Sequence, residues 1–201
     1  MSDETYETFM QRCDVFLPHA DCVLISIVYK LAKFSHRHDV RRDERDASGE
    51  PIRYFEHLRR VALILMDVGI VDRTTLLVSL LHDSVEDTRL HAEEIALACG
   101  EDVSRRGLLA SKAPKDGFRD RLVRFGDWKV LAVKIADRID NLRSLGNSSA
   151  EFRRKQCNET AVMYLPLTDL AIQRAPDEYK ENVRELAVLL NVTLHDAQGM
   201  K

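Results

Sequence analysis

Apolar residues return at intervals of three and four along nearly the whole chain, and that period predicts helices almost everywhere. Ile27, Leu31 and Phe34 stand at i, i+4 and i+7, which predicts one helix from about Pro18 to Ser35. A second is expected over Tyr54–Val68, with Leu58, Val61, Ala62 and Leu65 on its apolar side and Gly69 near its end. Asp72-Arg73-Thr74 opens a third, Leu76–His82, apolar on most sides and therefore expected at the centre. Asp87 or Thr88 is the expected cap of a fourth that stops at Gly100. Residues 101–118 contain Pro114 and Gly117 and read as a short helix and a mobile loop. Leu131, Ile135, Ile139 and Leu142 mark a strong helix over Trp128–Leu145, with Gly146-Asn147-Ser148-Ser149 ending it. Two more are expected around Asn158–Ala171 and Asp177–Thr193. The charged stretch Arg37–Glu50, closing on Ser48-Gly49-Glu50-Pro51, reads as a loop. With no repeat, low-complexity segment or dividing linker, the expectation is an all-α chain folded as a single domain.

A length of 201 residues suits one domain, and 45% apolar residues can fill its core. The formal charge of −3 lacks the strongly basic balance of a dedicated nucleic-acid binder. The apolar runs fall far short of the roughly 20 residues that span a bilayer, and Met1-Ser2-Asp3-Glu4-Thr5 is acidic where a signal peptide is basic. The four cysteines, Cys13, Cys22, Cys99 and Cys157, show no CxxC spacing and read as reduced thiols. A cytoplasmic protein with no nucleic-acid or membrane partner is expected; the oligomeric state is left open.

The chemistry concentrates in Leu80-Leu81-His82-Asp83-Ser84-Val85-Glu86-Asp87-Thr88, where an apolar helix runs into one imidazole and three carboxylates. Buried carboxylates cost several kcal/mol each unless paired or coordinated. At helical spacing His82 and Glu86 share one face and Asp83 and Asp87 another, about 100° away. His57 lies on the side of Val61 and Leu65, and Asp137 lies between Ile135 and Ile139, so both should point inward. Taken singly each residue has an ordinary reading: His57 as a hydrogen-bonded core histidine, Asp87 as a helix cap, Asp137 as an ion partner of Arg138 or Lys134. Taken together, His57, His82, Asp83 and Asp137 are satisfied by one cation. Two imidazoles and two carboxylates make a mixed N/O site suited to Mn²⁺, Fe²⁺, Zn²⁺ or Mg²⁺ rather than a closed structural zinc site. Lys134, Arg138 and Arg143 line one helix and face phosphates, or else Arg138 and Arg143 pair on a solvated face with carboxylates such as Asp140. His36, His38, Asp39 and Asp43 read as a charged solvated loop.

The order His57, His82-Asp83, Asp137 resembles the H…HD…D pattern of the HD-domain metal-dependent phosphohydrolases. Residues 81–88 resemble the HDxxED segment of the alarmone (guanosine tetra- and pentaphosphate) hydrolase branch of the RelA/SpoT family. Lys134-Ile135-Ala136-Asp137-Arg138-Ile139-Asp140-Asn141-Leu142-Arg143 resembles its K-x-A-D-R-x-x-N-x-R segment, and residues 159–167 its E-T-x-x-x-Y-x-P-L segment. The resemblance covers about residues 25–172 and leaves no room for that branch's synthetase domain. It implies an HD-domain helical bundle over residues 1–201, with a C-terminal helix at about 177–193, acting as a small stand-alone hydrolase. It further implies one ion, usually manganese, on His57, His82, Asp83 and Asp137, with Glu86 and Asp87 orienting and activating the attacking water. Arg41 and Arg42 match a basic pair at the base and phosphate, Asn141 a residue near the ribose, Tyr164 a position lining the nucleoside pocket, and Lys112 a lysine of the mobile loop. Three departures stand out: His57 is followed by Leu58 where proline is common, an insertion, Asp43–Ser48, alters the base-binding loop, and Leu108–Lys115 matches the family's loop poorly.

The expected activity is hydrolysis of guanosine 3′,5′-bis(diphosphate) at its 3′ position, releasing pyrophosphate. The alternatives are the same chemistry on another nucleotide (a dNTP, a nucleoside monophosphate or a dinucleotide cofactor) and a non-catalytic nucleotide-sensing module. A structural helical adaptor would not need carboxylates at a buried helix end.

Overall fold

The computed structural model describes residues 5–200, apart from the side chains of Arg42 and Asp43. Two helices, α1 (Tyr6–Phe16) and α2 (His19–Ser35), lead into a short antiparallel hairpin, β1 (Val40–Arg45) and β2 (Pro51–Arg53). The chain continues through α3 (Phe55–Asp67), α4 (Arg73–Leu81), α5 (Ser84–Asp87), α6 (Ala92–Cys99), α7 (Glu101–Ala110) and α8 (Phe118–Phe125). It closes with α9 (Trp128–Arg143), α10 (Ala150–Glu159), α11 (Leu165–Arg174) and α12 (Asp177–Gly199). A π-helical turn, Thr160–Tyr164, joins α10 to α11.

α9 is the axis of the bundle. Asp127 caps it by accepting from Val130 N at 3.1 Å, and 13 of its 16 residues are buried. It packs against α3, α4, α7, α11 and α12, so the stripe expected from Leu131, Ile135, Ile139 and Leu142 does face the core. α4 is capped by Asp72, which accepts from Thr74 N at 3.1 Å and Thr75 N at 3.3 Å. The same carboxylate takes Lys129 Nζ at 2.5 Å, tying the start of α4 to the start of α9.

Several expectations are corrected. The charged stretch after Ser35 is a hairpin rather than a loop: its strands pair Val40 with Arg53 and Arg45 with Pro51, and the alternation of a half-exposed charged ribbon carries no apolar signal. Asp46 Oδ1 accepts from Ser48 N (2.9 Å), Ser48 Oγ (2.6 Å) and Glu50 N (2.9 Å), and Gly49 supplies φ +87°. The helix ending near Gly100 starts at Ala92 and is capped by His91, whose N–H is taken by Glu94 at 2.8 Å; Asp87 and Thr88 belong to the preceding turn. On α2 the buried face is Cys22, Ile25, Val28, Tyr29 and Ala32, while Ile27 and Phe34 are exposed. α1 and α8 were not expected, α10 starts at Ala150 rather than Asn158, and α12 runs on to Gly199. No disulfide joins the four cysteines. Among the described residues no helix is long and apolar enough to cross a membrane.

The turn from α3 to α4 fixes how their functional ends face each other. Ile70 N donates to Leu65 O (2.8 Å) and Gly69 N to Met66 O (3.0 Å), the bond pair of a Schellman cap. Gly69 holds φ +75°, and a Cβ there would meet Asn182 Nδ2 of α12 at 2.5 Å. That amide in turn donates to Val68 O at 2.9 Å. Gly69→Ala should therefore lower stability by about 1–3 kcal/mol in chemical denaturation, whereas Gly146→Ala, with open space around it, should change it little.

Candidate metal centre

Helix geometry alone would splay His82 and Asp83 by about 100°, too far to meet one cation. The structure avoids this by ending α4 at Leu81 and breaking the helix at the two functional residues, with Asp83 at φ −104°, ψ −5°. His82 Nε2 and Asp83 Oδ2 then lie 3.1 Å apart. His57 Nε2, from the first turns of α3, comes within 3.6 Å of Asp83 Oδ2 and 3.3 Å of Asp137 Oδ1, from the middle of α9. His82 Nε2 lies 4.0 Å from that same Asp137 oxygen. All four residues expected to hold a metal converge, and three of them, His57, His82 and Asp83, bring ligand atoms within 4.8 Å of one another.

The hydrogen bonds around them aim lone pairs at this point. His82 Nδ1 donates to Ser79 O at 2.8 Å, leaving Nε2 as the acceptor nitrogen. That Nε2 is buried with no hydrogen-bond partner, the state expected of an atom whose partner is a cation. His57 Nδ1 is held by Asp140 Oδ2 at 2.6 Å, which likewise turns Nε2 inward. Tyr54 OH donates to Asp83 Oδ2 at 2.7 Å. Asp137 takes Asn141 Nδ2 at 2.5 Å on one oxygen and Lys134 Nζ at 2.6 Å on the other. The donor set and its outer partners fit a divalent metal ion.

Electrostatics agree. Burial alone would raise the carboxyl of Asp83, but its two histidine neighbours, His82 and the hydrogen-bonding His57, together with the charge of Lys134 hold it well below the usual range. Burial would raise Asp137 too, and Lys134 with His57 holds it well below. For His57, burial favours the neutral ring, yet hydrogen bonds to Asp137, Asp140 and Asp83 outweigh it and lift the imidazole to about 10. Asp87 shifts the other way: burial and the charges of Asp83 and Glu86 raise its carboxyl.

The remaining expected residues sort by position. Glu86 Oε2 accepts from Lys112 N at 2.8 Å, tethering the loop after α7. Arg41, Lys112, Arg138 and Asn141 line one cleft of about 340 Å³, together with Tyr54 and Phe152. Lys134 does not reach this cleft; it is fully buried against Asp137. Tyr164 is also fully buried, beneath Arg138, whose guanidinium carbon sits 4.0 Å from its ring centre. Arg138 pairs with Glu159 (3.1 Å) and Gln156 (2.5 Å) rather than with Asp140. The side chain of Arg42 lies outside the described residues.

Sequence reasoning missed five groups, among them Tyr54, which donates to Asp83 Oδ2. Asp140 is buried and pairs with His57 and Arg60 instead of standing on a solvated face. Arg60 holds Asp140, and Glu44 holds Arg60 in turn. His36, read as solvated, is buried with its ring stacked on Tyr54 at 5.1 Å and Nδ1 on Asp39 Oδ2 at 3.0 Å. The signal available for Asp140 was the one used for Asp137: an acid on a helix with few exposed positions.

No protein-family model matches the chain. Among curated proteins it is 32% identical to the GTP pyrophosphokinase Rsh of Brucella melitensis over 190 residues, 89% of this chain and 24% of that protein. It is 30% identical to the bifunctional (p)ppGpp synthase/hydrolase SpoT of Escherichia coli K12 over 189 residues, 88% of this chain and 26% of that protein. The chain thus spans about a quarter of the length of these relatives. A solved structure of a metazoan SpoT ortholog, described as hydrolysing ppGpp, superposes with a TM-score of 0.62 at 22% identity, covering 92% of this chain and 98% of that one. At that identity the likeness is one of fold.

A metal-free centre with a proton on His57 must lose it to bind a cation. His57 is protonated below about 10, so one proton competes with the metal throughout the neutral range. Mn²⁺ affinity measured on stripped protein should rise about tenfold per pH unit from pH 6.5 to 8.5, with about one proton released to the buffer per ion bound. A pH-independent affinity would contradict this arrangement. The homologues of the chain are the SpoT and Rsh proteins of the (p)ppGpp hydrolase/synthetase family.

Proposed function

We propose that this chain is an HD-type metal-dependent pyrophosphohydrolase that removes pyrophosphate from the 3′ position of guanosine 3′,5′-bis(diphosphate), the described residues acting as one hydrolase domain. The observation that carries this reading is the buried, unpartnered Nε2 of His82 facing His57, Asp83 and Asp137 at the edge of a cationic cleft. The names of the relatives, which include guanosine-3′,5′-bis(diphosphate) 3′-pyrophosphohydrolase, support it.

His57, His82, Asp83 and Asp137 would hold one divalent ion, manganese in this reading. When bound, such an ion acidifies water and polarises a phosphoryl oxygen. Asp87, with its raised carboxyl, takes the proton of the attacking water, and Glu86 beside it fixes the Lys112 loop. Arg41 and Lys112 supply positive charge to the phosphates within the cleft, and Arg138, held on Tyr164, adds to it at the floor. Asn141, bonded to both Asp137 and Arg41, stands where a ribose would meet the metal ligands. Tyr54 spans the cleft and Asp83, so nucleotide and metal share one wall. Lys134 keeps Asp137 ionised.

The test is pyrophosphate release from guanosine tetraphosphate by stripped protein with Mn²⁺ restored, beside a panel of other nucleotides. Release from the alarmone is expected, and selective turnover of a different nucleotide would replace the substrate while keeping the chemistry. Asp83→Asn should abolish turnover together with Mn²⁺ binding. Asp87→Asn should lower kcat by about 100-fold or more while Mn²⁺ still binds, separating proton transfer from ligation. Full activity in either variant would count against the assignment.

A further inference from the structure

One carboxylate oxygen in the inserted hairpin sits between two guanidinium groups. Glu44 Oε2 accepts Arg41 Nε at 3.0 Å and Arg60 Nη2 at 2.7 Å. Both arginines continue inward. Arg60, on α3, donates Nε to Asp140 Oδ1 at 2.7 Å and Nη2 to Asp140 Oδ2 at 3.2 Å, and Asp140 Oδ2 holds His57 Nδ1 at 2.6 Å. Arg41 donates Nη2 to Asn141 Oδ1 at 2.8 Å, and Asn141 holds Asp137 Oδ1. Since His57 Nε2 and Asp137 Oδ1 are 3.3 Å apart, these groups close a ring. Its two ends are metal-facing atoms and its keystone is Glu44, a side chain of the insertion.

We propose that Glu44 is a positioning residue: by clamping Arg41 to Arg60 it sets the orientation of His57 and Asp137, and so ties the metal centre to the hairpin that carries Arg41. This rests on the metal reading above, and it extends that reading to a residue with no contact to the centre. The physics is direct. Without Glu44, two guanidinium groups face each other with no anion between them and separate. Arg60 then loosens from Asp140, and Asp140 loses the bidentate partner that fixes its oxygen on His57. The segment matched on α9, K-x-A-D-R-x-x-N-x-R, leaves position 140 open, and position 44 lies in the insertion. Asp140 and Glu44 therefore lie outside the positions that the matched pattern specifies.

Loss of a partner that orients a metal-bound histidine weakens metal affinity by about 10- to 100-fold, and Glu44 acts one bond further out. Mn²⁺ titration of the stripped chain, read by the free-ion electron spin resonance signal, needs no substrate. Glu44→Ala should weaken Mn²⁺ binding roughly threefold to tenfold, and Glu44→Gln, which keeps the acceptor oxygen without the charge, should fall between it and the unsubstituted chain. In an Arg60→Ala background, Glu44→Ala should cost at most about twofold more, because the arm to His57 is already cut. Circular dichroism checks that every variant keeps its helix content.

An Mn²⁺ affinity unchanged by Glu44→Ala, or losses that multiply fully in the double variant, would overturn the proposal while leaving the hydrolase reading standing. No Mn²⁺ binding by the unsubstituted chain would overturn the metal reading and the clamp with it. Absence of nucleotide turnover alongside the expected Mn²⁺ losses would overturn only the activity.

Discussion

Asp137 carries its charge in the middle of a helix buried on nearly every side, and the rest of the site follows from what that charge requires. A lone carboxylate there would be neutralised or would destabilise the fold. The surrounding groups, Lys134, Asn141 and His57, keep it ionised, and each is itself buried or half-buried and needs a further partner. Lys134 on the same helix offsets one negative charge, while Asp83, Asp137 and Asp140 together supply three. Arg60 offsets a second, and a proton on His57 balances the one that is left.

The requirement propagates outward in layers. Asp140 turns His57, Arg60 holds Asp140, and Glu44 joins Arg60 to Arg41. The hairpin is therefore part of the site's electrostatics rather than a decoration between α2 and α3. Tyr54 plays the corresponding part on the other wall, donating to Asp83 while His36 stacks behind it. A cleft lined by Arg41, Lys112, Arg138 and Asn141 thus lies beside donor atoms that are already oriented, joined to them through Asn141 on Asp137 and Tyr54 on Asp83.

Much of this was legible in the chain because buried helices write their period plainly. Leu131, Ile135, Ile139 and Leu142 located α9, and the acids breaking that apolar pattern located the site. The convergence of His57, His82, Asp83 and Asp137 followed from the impossibility of leaving them alone. The helix break that brings His82 and Asp83 together was not legible, since both residues adopt near-helical backbone and no glycine or proline marks the turn. The hairpin was hidden for a different reason: charged strands with one register-setting turn carry no apolar alternation. α2 shows the ambiguity of a helix apolar on several sides, where Ile27, Leu31 and Phe34 have the right spacing and yet Ile27 and Phe34 face outward. Asp140 and Glu44 escaped because their partners are distant in sequence, Arg60 lying 80 and 16 residues away, and only folding brings them together.

The central claim is that one divalent ion is held by four side chains from α3, the α4–α5 turn and α9. Diffraction from crystals of the protein grown with Mn²⁺, measured at wavelengths on either side of the manganese absorption edge, tests it directly. The account predicts one strong anomalous peak bonded to His57 Nε2, His82 Nε2 and carboxylate oxygens of Asp83 and Asp137. A peak elsewhere, or none with those four side chains ordered, would contradict it.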